Sequence, residues 1–382
     1  MLKQLSMYQK ILGSIILLFA WCLFIEQAFA DERTGRIAFL SDRNRNRHVP
    51  FKSEISVYLI DADGLNEALW RSCKMKDGPI DWSKCGPIDW SPNGEHIAYH
   101  MQSQHATHIF WETPVIFPED LEDLPREPAP KEILRHFKPL GPGIEIFVVP
   151  DTPRIEIKNM TEQFGGQTYL SPKWAPDGKW LALTSTDGSP DGKADVCVMD
   201  IEGNQLKNLT QSPGIDEVGS WSPDGSKIVF FSNRDGNGEI YVIDSNGNNQ
   251  VNLTNHPALD AAPTWSPDGT KIAFHSNREG DQDDIYAMNP DGANVVNLTR
   301  HPWDDQAPAW SPDGRWIAYH AFRVGKRPDV YVMDANGDNQ KQLTGAPRAD
   351  TNPTWVIPDR SLSVEVSGNQ STLWGRMKLE RR

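Results

Sequence analysis

Trp221-Ser222-Pro223-Asp224-Gly225 decides how this chain is read, because it returns. It recurs as Trp265-Ser266-Pro267-Asp268-Gly269 and as Trp310-Ser311-Pro312-Asp313-Gly314. A variant with alanine in second place runs from Trp174 to Gly178, and one with Asn93 for the aspartate runs from Trp90 to Gly94. The tryptophans at 174, 221, 265, 310 and 355 are 47, 44, 45 and 45 residues apart. The interval from Trp90 to Trp174 is 84, one repeat plus an insertion of about 40, at about residues 101–143. Self-similarity at a fixed period of this length is the signature of a repeat architecture.

Working outward from Trp265, each repeat has one internal grammar. Pro263-Thr264-Trp265 reads as a short first strand, and Ser266 to Gly269 as a tight turn in which proline presets φ and glycine accepts a positive one. Lys271 to Ser276 reads as a second strand, Asp284 to Asn289 as a third and Val295 to Thr299 as a fourth. A polar loop and a Pro-Asp-Gly turn separate them. Four strands per repeat with hairpin turns between them is the pattern of a propeller blade, and no 3.6-residue periodicity supports a helical solenoid.

These motifs carry a resemblance. The W-S-P-D-G turn, the I-A-F-x-S strand, the I-Y-V-M-D strand with its D-G-x-N turn, and the closing N-L-T resemble the WD40-like (PD40) repeat of the TolB propeller. The resemblance spans about residues 36–357 and is most specific over 170–345. It implies an all-β protein that binds partners. The α/β domain that precedes the propeller in that family is not expected, since strand-like sequence begins at Arg36, so the family's partners do not carry over. Related propellers of prolyl-oligopeptidase-type enzymes add a hydrolase domain with a G-x-S-x-G elbow, and this chain has no such motif.

Arg36 to Ser41, Ser56 to Asp61 and Ala68 to Arg71 read as second, third and fourth strands lacking a first. Asn352-Pro353-Thr354-Trp355 matches Ala262-Pro263-Thr264-Trp265, so the C-terminal strand is expected to complete blade 1 and close a six-bladed β-propeller.

A second constant offset predicts contacts. Asp216, Asp260, Asp305 and Asp350 each precede their tryptophan by five residues, and Arg234, Arg278 and Arg323 follow the first three by 18. In a hairpin the start of the first strand lies beside the end of the second, so each pair should meet on one rim. The partner of Asp350 by this rule is Arg43, at the other end of the chain. These eight residues are rim candidates for a ligand, but equal recurrence favours a structural cap. Phe110 and Trp111 join them as candidates. They are read as part of the insertion, placed between second and third strands on the same rim.

Other features narrow the function. A net charge of -14 argues against nucleic acid or an anionic membrane as partner. Lys3 and Lys10, the apolar run Ile11 to Ile25 and Ala28-Phe29-Ala30 read as a signal peptide over 1–30, hence periplasmic or secreted protein. Export permits a Cys73–Cys85 disulfide, while Cys197 reads as a buried small hydrophobe. Residues 358–382 read as a tail. Asn-Leu-Thr at 208, 252 and 297 is a formal glycosylation acceptor that strand-end packing explains better, and the Asp-x-Asn-Gly-Asp turns are hairpins rather than calcium loops. His275 and His320 hold matching second-strand positions facing the channel. The reading is a monomeric, non-catalytic propeller that binds a protein or peptide at one rim, without a cofactor. The alternative is a metal-dependent hydrolase or lyase with a divalent cation at the channel mouth.

Overall fold

The computed structural model describes residues 35–41, 56–63, 68–72, 85–93, 96–102, 107–112, 144–147, 155–164, 167–186, 193–323, 327–345 and 349–356. The signal segment, Cys73, Arg43 and the tail lie outside these residues.

The described strands form five four-stranded sheets and one five-stranded sheet, numbered here in chain order. Sheet 5 is representative. Its strands Asp260–Trp265, Ile272–Ser276, Asp284–Met288 and Val296–Asn297 pair antiparallel in sequence order. The first strand is longer than its apolar residues indicate, and the fourth is shorter. Sheet 4 begins at Asp216–Trp221 and sheet 6 at Asp305–Trp310. In sheet 1, Asp350–Val356 is the first strand and pairs with Arg36–Ser41. The two ends of the described chain therefore share one sheet. Asp350–Val356 also touches second-strand residues of sheet 6 and the first strand of sheet 2, Cys85–Trp90.

Local chemistry explains the recurring turn. In sheet 5 the Ser266 hydroxyl donates to Asp268 Oδ1 at 2.6 Å, and the Thr270 N–H donates to the same oxygen at 3.0 Å. Ser266 Oγ accepts the Lys271 N–H at 2.9 Å, and Gly269 holds φ at +72°. Serine, aspartate and glycine are each needed for the backbone to reverse there. In sheet 4 the same bonds, Ser222 first, hold the Asp224 carboxyl down at about 2. At the outer edge, Thr299 Oγ1 accepts the Ile285 N–H and donates to Asp284 Oδ1. The Asn297 amide donates to Asp284 Oδ2 at 2.9 Å. The Asn-Leu-Thr triplet is thus a strand lock.

The core lies between sheets. Phe274 and Tyr286 of sheet 5 pack with Val229, Ile240 and Val242 of sheet 4, while Ala273, Ile285 and Ala287 pack with Tyr319, Tyr331 and Met333 of sheet 6. Ile37, Phe39 and Trp355 of sheet 1 pack with Val330 and Val332 of sheet 6. Each fully buried large side chain contributes about 1.5–3 kcal/mol. Cys197 is buried in sheet 3, where its surroundings push the thiol up to about 12.

Sheet 2 corrects the placement of the insertion. Thr107–Glu112 pairs with Ile97–Gln102 as an ordinary third strand, with Tyr99 opposite Phe110 and Ala98 opposite Trp111. The fourth strand is Ile155–Asn159, and Ile144–Phe147 adds a fifth beyond it. The added chain therefore follows the third strand, not the second. It departs at Glu112, opposite Ile97 and so beside the turn after Trp90. Length alone reveals an insertion but not which hairpin it enters, and Thr107–Glu112 carries the alternation of any third strand.

Candidate functional site

The propeller geometry makes two rims. One carries the Ser-Pro-Asp-Gly turns; the other, the loop rim, carries the loops between second and third strands and the links between sheets. The Asp/Arg residues lie on the loop rim, and Phe110 and Trp111 lie in a strand that leads to the turn rim. The two candidate groups therefore do not form one surface.

Three of the Asp/Arg pairs form as the offset predicts. Arg234 meets Asp216 at 2.8 Å, Arg278 meets Asp260 at 2.8 Å and Arg323 meets Asp305 at 2.7 Å. Arg278 Nη2 reaches both oxygens of Asp260, each at 2.8 Å. Each guanidinium also lies over two rings, Phe230 and Tyr241, Phe274 and Tyr286, or Tyr319 and Tyr331, at 4.8–5.6 Å. The three aspartate side chains are 0% exposed. Burial pushes the Asp305 carboxyl up and Arg323 draws it back. These carboxylates are spent on their arginines and offer nothing to a ligand. Asp350 is buried as well and stands opposite Ser41, as Asp216 stands opposite Ser232 and Asp260 opposite Ser276. The register thus agrees with an Arg43 partner, which itself lies outside the described residues.

Around the axis, the first strands of all six sheets line a cavity of about 560 Å³. Ser171, Ala262, Ala307 and Asn352, each three residues before its tryptophan, hold φ between 49° and 51°. They sit where the first strands slip register in bulges. None is glycine, so the sequence carries no signal of this strained ring. The charged groups on the wall are Asp89, Lys173 and Glu217. Asp89 accepts the Trp174 N–H at 2.6 Å, and burial raises its carboxyl against the pull of Lys173. Burial also raises Glu217, which opens to the channel.

His275 lines this cavity, whereas His320 is 7% exposed and packs edge-on against Phe322. Nδ1 of each ring is buried without a hydrogen-bond partner. Burial, with His275 adding to it, pushes His320 down to about 3. Burial also lowers His275, against Asp283, Asp260 and Asp304. Among the described residues no group of three His, Cys, Asp or Glu is placed to hold a metal ion. A depressed histidine leaves stability intact above the unfolded value near 6.5 and lost as pH falls from there toward the folded value. We expect the His320→Phe variant, which places there the ring that sheet 4 carries as Phe231, to flatten the fall in stability between about pH 6.5 and 4.5 by about 1 kcal/mol per unit. Urea melts across that range measure it, and an unchanged slope refutes the assignment.

The loop rim also holds what sequence reading missed. Trp303 is 52% exposed and Leu259 is 39% exposed, in the links that enter sheets 6 and 5. Leu259 exchanges hydrogen bonds with Asn277, its N–H donating to Oδ1 at 2.9 Å. The Asp283 N–H donates to Asp304 Oδ1 at 3.0 Å, and Gln306 donates to Asp283 Oδ2 at 2.5 Å. The links and the sheet 5 loop are therefore one continuous surface. A break in the repeat signals it: Trp303 stands where the preceding repeat has Ala258.

Comparison with known proteins agrees with this architecture. Residues 154–256 and 233–323 match the TolB beta propeller domain family, PD40. TolB from Acinetobacter baumannii aligns at TM-score 0.62 and 23% identity over 87% of this chain and 70% of that one. A putative TolB from Agrobacterium tumefaciens aligns at 0.50 and 19%, over 81% and 88%. Kuenenia stuttgartiensis hydrazine synthase aligns at 0.55 and 12%, over 84% of this chain and 46% of that one. At these identities the structural likeness carries the fold and not the activity. Repeat, sheet pairing and family match converge on a TolB-like β-propeller fold, with PD40 repeats matched over residues 154–323.

Proposed function

We propose that this protein is an exported, non-catalytic six-bladed propeller, closed by its last strand, that binds a protein or peptide partner at the loop rim. The exposure of Trp303 carries the reading, because half of a large indole is left in solvent where the preceding repeat has alanine, and Leu259 in the link before it is partly exposed as well. The buried Asp/Arg pairs on the same rim act as structural caps that hold it rigid. Pairing of Asp350–Val356 with Arg36–Ser41 supports the closed ring, and the N-terminal segment ending at Ala28-Phe29-Ala30 supports export.

Photo-crosslinking in the native cell tests the partner. A crosslinking residue at Trp303 is expected to give a discrete adduct, and one at exposed Asp291 on the turn rim is not. No adduct at Trp303, whether or not Asp291 gives one, would sink the reading. Fractionation tests export, with a mature N-terminus expected at Asp31; an intact chain in the cytosol would refute it.

A further inference from the structure

The loop rim over sheets 5 and 6 has a definite chemistry. Glu279 and Asp281 in the sheet 5 loop, and Asp283 and Asp304 at the seam, are gathered there. Glu279 accepts a hydrogen bond from Asn297 at 3.0 Å, Asp283 one from Gln306, and Asp304 one from the Asp283 N–H. All three donors are neutral groups. Three of the rim's described cations are occupied: Arg234, Arg278 and Arg323 answer the buried Asp216, Asp260 and Asp305. Arg300 on the link to sheet 6 and Arg327 in the sheet 6 loop, both exposed, offset two of the four carboxylates.

Within this negative field stand Leu259 and Trp303. Leu259 leans toward sheet 4, where a methyl group added at Gly238 would meet both its Cδ1 and the Phe231 ring. Trp303 adjoins Asp304, whose carbonyl accepts the Phe322 N–H at 2.9 Å. An exposed indole beside carboxylates suits a cation with an aliphatic stem. The ring face attracts the charge, and the stem covers apolar area.

We propose that this patch docks a basic segment of a partner protein, with lysine or arginine side chains over Trp303 and among Glu279, Asp281 and Asp304, and an apolar residue against Leu259. The proposal rests on the partner-binding reading above and specifies the chemistry of the partner. Charge complementarity selects a cationic occupant, and the apolar pair makes it a protein segment rather than a free cation.

The test uses the full mature chain and two labelled synthetic peptides, one of lysine, leucine and tryptophan, the other with glutamate for every lysine. Fluorescence anisotropy is expected to show binding of the first, weakening with salt, and none of the second. Leu259→Ser with Trp303→Ser is expected to weaken it about tenfold, which is about 1.4 kcal/mol. Glu279→Lys with Asp281→Lys is expected to do the same and to flatten the salt dependence. Asp291→Lys on the turn rim is expected to change nothing. These residues are exposed, and unchanged thermal melts verify folding. Equal binding of both peptides, or indifference to the Leu259 and Trp303 changes, overturns the proposal. If it falls while crosslinking at Trp303 still captures a partner, partner binding at the loop rim survives with another chemistry.

Discussion

Asp260→Ala is expected to destabilise the protein by about 3 kcal/mol, because it leaves the Arg278 guanidinium facing an emptied site at the edge of the core. The carboxylate is 0% exposed and the guanidinium 13%, so water does not replace the lost partner in place. The aromatic rings of Phe274 and Tyr286 retain part of the attraction to Arg278, at 5.2 and 5.1 Å, which keeps the loss at the lower end of the range for buried pairs. The double variant Asp260→Leu with Arg278→Leu is expected to lose less than Asp260→Ala, since it removes both charges. Urea unfolding measures all three proteins. A single variant within 0.5 kcal/mol of the parent, as typical surface changes are, would show that these pairs do not cap the sheets.

The second large effect is expected at Gly219. A methyl group there would lie 2.3 Å from the Pro263 carbonyl oxygen, and 2.8 Å from both Pro263 Cγ and the Val229 carbonyl oxygen. Two of these neighbours are main-chain atoms, one in the same sheet and one in the first strand of sheet 5, so relief requires moving whole strands apart. Gly219→Ala is expected to cost about 3 kcal/mol, and Gly219→Val more. Gly280→Ala is the control: it meets nothing within 4 Å and is expected to change stability by less than about 0.5 kcal/mol. Equal melts for Gly219→Ala and Gly280→Ala would mean that the first strands of sheets 4 and 5 do not approach so closely.

Most of the fold was legible because the repeat states it many times over. Trp265 and its turn can be read from one copy and checked against four others. The Asp/Arg offset named three ion pairs across strands, since hairpin register converts sequence spacing into distance. The proposed docking surface was not legible for the same reason. Periodicity describes what the repeats share, while Trp303 and the acidic seam belong to single copies. The aromatic pair Phe110-Trp111 drew attention in an irregular stretch, yet Tyr99 and Ala98 stand opposite them in regular pairing. The left-handed residues at 171, 262, 307 and 352 escaped because serine, alanine and asparagine occupy places where glycine is the usual marker.

The sheet shared by both chain ends has a consequence for biogenesis. Arg36–Ser41 leaves the ribosome among the first strands, but its inner neighbour Asp350–Val356 comes almost last. Until then its bare edge offers unpaired amides and carbonyls to any passing polypeptide. A chaperone that shields this edge until Asp350–Val356 is made would keep it from pairing with other chains.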